Sequence, residues 1–242
     1  MIQPMQKKVV MITGAAGALG SEIAMRCAKA AWTPILLDKN RRGLEQLYDR
    51  IVQEAGVEPF LMVRDIATLN PQDCEDVVSA LELGPQRLDA LVHCAASFEG
   101  LQPLEQIQPD HWLNQMQISI NAPWLLSVSC LPLLRLSPEA SIYFISEDIE
   151  KLRGAYWGAY GVGKHGAHAL ASQFAAELSN TSIQVLSLNP GPMRSGLRAR
   201  AYHSEPPNLA ADPGVAAEKI VQLLARKIKA LSWQVNLNEL GS

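Results

Sequence analysis

The sequence has little that would select a partner by bulk charge or by covalent cross-linking. Among its 242 residues, Lys and Arg total 21 and Asp and Glu 24, a formal charge of −3. A chain this close to neutrality exerts no global pull on nucleic acid or anionic membranes, and no basic run breaks the balance. The four cysteines, Cys27, Cys74, Cys94 and Cys130, lie far apart and form no CxxC pair. They read as reduced, buried thiols, so neither a disulfide framework nor a metal site is expected, and the cytoplasm is the expected location. The opening stretch "MIQPMQKKVVMITGAAG" holds an apolar run too short to span a bilayer and has no cleavage-site pattern. No linker, repeat or low-complexity tract interrupts the chain, so residues 1–242 are read as one domain.

What is present is alternation. The chain is 48% hydrophobic and 19% charged, the balance of an ordinary globular protein. Short β-branched or apolar runs, "KKVVMIT", "PILLD", "EPFLMVRDI", "LDALVHCAA", "ASIYFIS" and "SIQVLSLN", are strand signals, with "SWQVNLN" a candidate seventh. Segments with helical spacing separate them. One runs from Asn40 to a stop at Gly56; another is capped by Asn70 with Pro71 in its first turn. "QPDHWLNQMQISINAPWLLSVSCLPLLRL" predicts a long helix bent at Pro123 or Pro132. "DPGVAAEKIVQLLARKIKAL" predicts a helix near the C-terminus. Strict βα order implies an α/β fold: one doubly wound domain, its parallel sheet flanked by helices on both faces.

The first strand ends in a turn with glycines at 14, 17 and 20 and then enters a helix. Such a turn brings backbone close to a pyrophosphate, at the positive end of the helix. Gly14, Gly17, Ala18, Leu19 and Gly20 are therefore candidate cofactor contacts. Asp38 closes the second strand, where a carboxylate accepts the ribose hydroxyls and repels a 2′-phosphate, so NAD is preferred and NADP possible. Lys39, Arg41 and Arg42 either soften that repulsion or form a solvated helix start. Asp65, with Ile66 beside it, is placed to meet the adenine amino group or to cap a helix. Further on, Tyr160 and Lys164 stand four residues apart on a predicted helix, hence on one face.

With "TGAAGALG" at 13–20, "RDI" at 64–66, "YGVGK" at 160–164 and "NPGPMRS" at 189–195, the chain resembles the short-chain dehydrogenase/reductase family over nearly its whole length. The resemblance implies a Rossmann-type domain binding NAD(P) and an oxidoreductase that interconverts a small-molecule carbonyl and alcohol. It implies that Tyr160 is the general acid/base, that Lys164 lowers its pKa and holds the nicotinamide ribose, and that Pro190, Gly191 and Ser195 face the nicotinamide. It also implies a homodimer through the tyrosine helix and the long helix before it, with a tetramer possible. No nucleic-acid or membrane partner is expected.

The departures from the family pattern matter as much. The position thirteen residues before Tyr160, a serine in the family, is Glu147, and Ser146 lies one residue earlier. The family's asparagine on the long helix aligns with Ser119, and its "NNAG" reads "HCAA", placing Cys94, Ala95 and Ala96 at the cofactor. An ionised Glu147 accepts but does not donate a hydrogen bond, repels a developing alkoxide, and is able to pair with Lys164. Ser146 would turn inward only if strand alternation ended before it. Two functions stay open: a working oxidoreductase with an atypical site, or a cofactor-binding protein with weak or lost catalysis. His165 and His168 read as packed or interfacial residues. Residues 191–212, Pro-rich and carrying Arg194, Arg198 and Arg200, are expected to be a substrate-covering loop.

Overall fold

The computed structural model describes residues 7–240; residues 1–6 and 241–242, counted in the domain by the sequence, lie outside the described residues. The strands are β1 (Val9–Thr13), β2 (Thr33–Asp38), β3 (Phe60–Val63), β4 (Ala90–His93), β5 (Ala140–Ile145), β6 (Ile183–Asn189) and β7 (Gln234–Asn236). They form one sheet in the order β3-β2-β1-β4-β5-β6-β7, parallel throughout. The order reverses between β1 and β4, and the crevice at such a switch point is where open α/β sheets bind ligands.

Both faces are covered. Helices α1 (Ala18–Lys29), α2 (Arg41–Ala55), α3 (Pro71–Leu83), α4 (Pro109–Met116), α5 (Ala122–Leu134), α6 (Gly158–Glu177), α7 (Gly196–Ala201) and α8 (Pro213–Leu224) follow in chain order. Side chains alternate across a strand, so Val10 and Ile12 enter one core with Ile23 of α1, Leu44 of α2 and Ile220 of α8. Val9 and Met11 enter the other, with Val77 of α3, Leu126 of α5 and Phe174 of α6. Burial on both faces explains why the strands read as continuous apolar runs rather than as alternating ones. At the end of the sheet opposite the crevice, fully buried Asp89 ties three segments together. Its carboxylate accepts the Val9 N–H at 2.8 Å, the Ser137 hydroxyl at 2.6 Å and the Arg87 guanidinium at 2.7 Å.

Most element ends fall where the sequence puts them. The Asn40 side chain accepts the Gly43 N–H, and Gly56 closes α2 in the left-handed region at φ 62°. Asn70 and Asp73 form a reciprocal capping box at the start of α3, satisfying two donors that the helix itself leaves free.

Three expectations are corrected. The long helix is interrupted by a π turn over Gln117–Asn121 rather than at Pro132, which sits inside α5. Pro123 follows that turn and has no N–H to offer the carbonyl four residues back, while Ala122 bonds to Gln117, the wider π spacing. The C-terminal helix stops at Leu224, because Arg226 takes a left-handed φ of 56° and reaches the Ala140 carbonyl and the Tyr143 hydroxyl. Residues 191–212 are not simply a loop: they hold α7, with Met193 bridged to Ala211 and Arg198 paired to Glu205.

Candidate active site

The crevice at the sheet's C-terminal edge encloses about 490 Å³, within the usual range for small-molecule sites. Its floor is set by Thr13, whose hydroxyl accepts the N–H groups of Cys94 at 3.2 Å and Ala95 at 3.3 Å. Gly14 follows at φ 67°, and a Cβ there would lie 2.6 Å from the Ala95 Cα. A Cβ on Gly20 would lie 2.3 Å from the Gly14 carbonyl. Neither position tolerates a side chain, and the resulting turn leads directly into α1. The helix starts at Gly17 with no side-chain cap and no acidic residue in its first turn. Its first N–H groups are thus available to an anion.

Asp38 stands at the rim, its carboxylate accepting the Ala16 N–H at 3.1 Å and the Asn40 N–H at 2.9 Å. Asp65 caps its own turn through the Ala67 N–H and lies 3.5 Å from Lys39. Lys39, Arg64 and Ile66 also line this end. Glycine turn, uncapped helix and rim carboxylate together match the outline of a dinucleotide.

The other end of the crevice holds the reactive groups. Tyr160 and Lys164 lie on α6, both buried. The Tyr160 hydroxyl donates to Glu147 Oε1 at 2.8 Å. Lys164 Nζ donates to the Ile145 carbonyl at 2.8 Å and sits 5.7 Å from the Tyr160 ring centre. Burial, then the charge and hydrogen bond of Glu147, push the Tyr160 phenol well above its ordinary value. Burial lowers Lys164, with Glu147 and Cys94 pulling the other way. The ammonium therefore does not dominate the phenol; the carboxylate and burial do.

Ser146 and Glu147 both line the crevice. Strand β5 ends at Ile145, so alternation no longer holds for the two residues after it. The Ser146 hydroxyl is buried and has no hydrogen-bond partner among the described residues. Ser119 behaves differently: its hydroxyl accepts from Gln115 at 2.8 Å and packs against Gly163 of α6. It does not line the crevice, whose wall there is Ile118. Gly17, Ala18, Leu19, Cys94, Ala95, Ala96, Pro190 and Ser195 line it as the sequence suggests. Gly191, also expected at the cofactor, does not line it; at φ 74° it packs on Asn238.

Phe98 was not singled out by the sequence. It is buried beside Tyr160 with ring centres 5.1 Å apart, and Leu197 and Trp157 pack on the same cluster. The available signal was its place just beyond β4, where the crevice opens. The arginines divide: Arg194 is paired to Asp212 and Arg198 to Glu205, whereas Arg200 lines the crevice and donates to the Phe98 carbonyl. His165 bonds to the Gly161 carbonyl and His168 to Ser187, so neither faces the reactive groups.

Comparison with known proteins agrees with this geometry. Residues 8–206 match the family described as short chain dehydrogenase. An uncharacterized oxidoreductase of Escherichia coli (strain K12), YciK, is 30% identical over 200 residues, 83% of this chain and 79% of its own. A short chain dehydrogenase structure from Shigella flexneri 2a str. 301, complexed with NADP, superposes with a TM-score of 0.90 at 28% identity, covering 96% of this chain and 97% of that one. One from Escherichia coli CFT073, complexed with NADPH, gives a TM-score of 0.86 at 28% identity, covering 97% and 99%.

Proposed function

Because the chain belongs to the short-chain dehydrogenase family, we propose that it is a nicotinamide-dependent oxidoreductase acting on a small molecule, with Tyr160 as its proton donor. The observation that carries this reading is the convergence of Tyr160 and Lys164 with the glycine turn on one crevice. Reduced nicotinamide, when bound, supplies a hydride. The residues present suit it: the uncapped start of α1 would receive the pyrophosphate, Asp38 the adenosine ribose, and Asp65 with Ile66 the adenine. Lys164, Pro190 and Ser195 would hold the nicotinamide end, and Ser146 would offer it a hydroxyl.

The Asp38 carboxylate at the end of the second strand would repel a 2′-phosphate, which supports NAD(H) as the preferred cofactor, although the two similar structures above are complexed with NADP and NADPH. Lys39 and Arg64 on the same rim keep NADP(H) admissible. Calorimetric titration with NADH and NADPH tests this: NADH is expected to bind more tightly, with Asp38→Asn closing the gap. Tighter NADPH binding by the unmodified protein would reverse the assignment.

A second reading has one observation in its favour. The Tyr160 hydroxyl already donates to Glu147, so a carbonyl substrate competes with a carboxylate for that proton, and turnover would be weak. A homodimer forms part of the proposal as well. Trp124 and Val128 lie one turn apart on α5, and both they and Val162 of α6 are exposed.

A further inference from the structure

The three arginines of residues 191–212 have different partners. Arg194 lies 2.6 Å from Asp212, and Glu205 holds Arg198 through two nitrogens. Arg200, near the end of α7, forms no ion pair among the described residues. Its Nη1 donates to the Phe98 carbonyl at 3.0 Å, a neutral acceptor from the far side of the crevice mouth. That bond fixes the guanidinium but does not answer its charge, and Arg200 lines the crevice. A guanidinium presents five N–H donors in a planar fork that matches a carboxylate. Phe98 takes one of them.

Phe98 also fixes where this charge stands. Its ring packs edge to face on Tyr160 with centres 5.1 Å apart, so its carbonyl holds Arg200 at the reactive end. Leu197 of α7 packs on the same two rings and lines the crevice with them. The wall there is apolar, with a cation at its edge. Glu147 is the carboxylate of this end, and its charge already acts on other cations. It opposes the lowering of Lys164 by burial, and it adds to the raising of Arg198 that begins with Glu205. Two lining cations, Lys164 and Arg200, thus face one lining carboxylate, and one negative charge on a ligand restores the balance. The buried Ser146 hydroxyl, without a hydrogen-bond partner among the described residues, is an independent sign that a polar ligand group completes this end.

Resting on the oxidoreductase reading above, we propose that the substrate is an oxo acid, an apolar ketone whose carboxylate docks on Arg200 while its carbonyl meets Tyr160. The apolar body lies along Phe98 and Leu197. Glu147 disfavours the reverse orientation, which would set the substrate's carboxylate beside its own charge. In the reaction the carbonyl carbon gains the hydride with its electron pair, and the π pair of C=O moves onto oxygen. Tyr160 gives that oxygen its proton, and the phenolate regains one from solvent. The products are a hydroxy acid and the oxidised cofactor. The carboxylate stays unchanged throughout, so Arg200 selects and orients the substrate and takes no part in the bonds that form or break.

The test follows NADH consumption with benzoylformate and benzoylpropionate, each against its methyl ester, which keeps the ketone and removes the charge. A second readout is calorimetric binding of phenylbutyrate, a carboxylate with no carbonyl to reduce, to the NADH-loaded protein. For at least one pair, kcat/KM for the acid is expected to exceed that for the ester by about tenfold. Arg200→Gln keeps a donor for the Phe98 carbonyl but removes the charge. It is expected to abolish that margin and to weaken phenylbutyrate binding, with ester turnover and NADH affinity unchanged. Arg200→Lys is expected to retain part of the margin. Esters reduced as fast as acids, or a margin that survives Arg200→Gln, overturn the oxo-acid assignment and leave the oxidoreductase reading standing. Weaker NADH binding in Arg200→Gln, with acid and ester turnover falling together, also overturns it and places Arg200 at the cofactor phosphates. Arg200-dependent binding of phenylbutyrate with no hydride transfer to any compound overturns the oxidoreductase reading and keeps Arg200 as an anion site. Neither binding nor transfer overturns both.

Discussion

At the residue scale, burial and the neighbouring Glu147 carboxylate together set which protonation state of the Tyr160 phenol the site holds. A tyrosine beside an ammonium alone would be drawn toward phenolate, the form that takes a proton from an alcohol. Here burial and the Glu147 carboxylate raise the phenol well above 10, so it stays protonated across the neutral range. That state suits proton donation and hence reduction. An ultraviolet difference titration, wild type minus Tyr160→Phe, is expected to place the phenol's ionisation above the ordinary tyrosine range. In Glu147→Gln, with the charge gone, ionisation shifts to lower pH; an unchanged position would mean that burial alone sets it. The same residues show what the sequence conveyed. That an acid replaces the family serine is visible in "SED"; that it would bond to Tyr160 rather than pair with Lys164 is not. The choice depends on the Ile145 carbonyl, which occupies the lysine, and on the strand ending one residue before Ser146. Ser119 likewise aligns with a catalytic position yet turns to Gln115, because its orientation is set by the π turn around it.

At the element scale, α5 leaves large apolar side chains open to solvent. Trp124 is 48% and Val128 42% exposed, one turn apart. The stretch Pro109–Leu134 is apolar enough by length and composition to cross a membrane, but half of its most apolar window is buried in the fold, as in a core helix. A second copy of the chain is the occupant we propose for the exposed part. Sedimentation is expected to give a dimer, and Trp124→Glu to shift it to monomer; a wild-type monomer would contradict the assignment. Element starts were legible because capping is local chemistry, as at Asn40 and in the Asn70–Asp73 box. The end of α8 was not. "LLARKIKAL" continues the helical period, and only distant partners, the Ala140 carbonyl and Tyr143, draw Arg226 out of the helix. Helix α7 was hidden for the same reason, its ends held by an Arg198–Glu205 pair and the Met193–Ala211 bridge.

At the scale of the whole molecule, a parallel sheet brings the ends of β1, β4, β5 and β6 to one edge, so that residues from Gly14 to Arg200 share a crevice. The alternation that defines this sheet was legible, because burial on both faces writes itself as apolar runs. Phe98, on a segment without periodicity, was not. Asp89 at the opposite edge holds the strands in place, leaving the crevice edge to carry chemistry. The central claim is that this crevice transfers hydride from a nicotinamide with Tyr160 at the reacting end. The most direct measurement is a single-turnover experiment: NADH-loaded protein mixed with a panel of carbonyl compounds, following loss of nicotinamide absorbance. The wild type is expected to transfer hydride to at least one compound, and Tyr160→Phe to bind NADH equally but transfer at least about tenfold more slowly. Tight NADH binding with no transfer to any compound, or transfer unaffected by Tyr160→Phe, would contradict it.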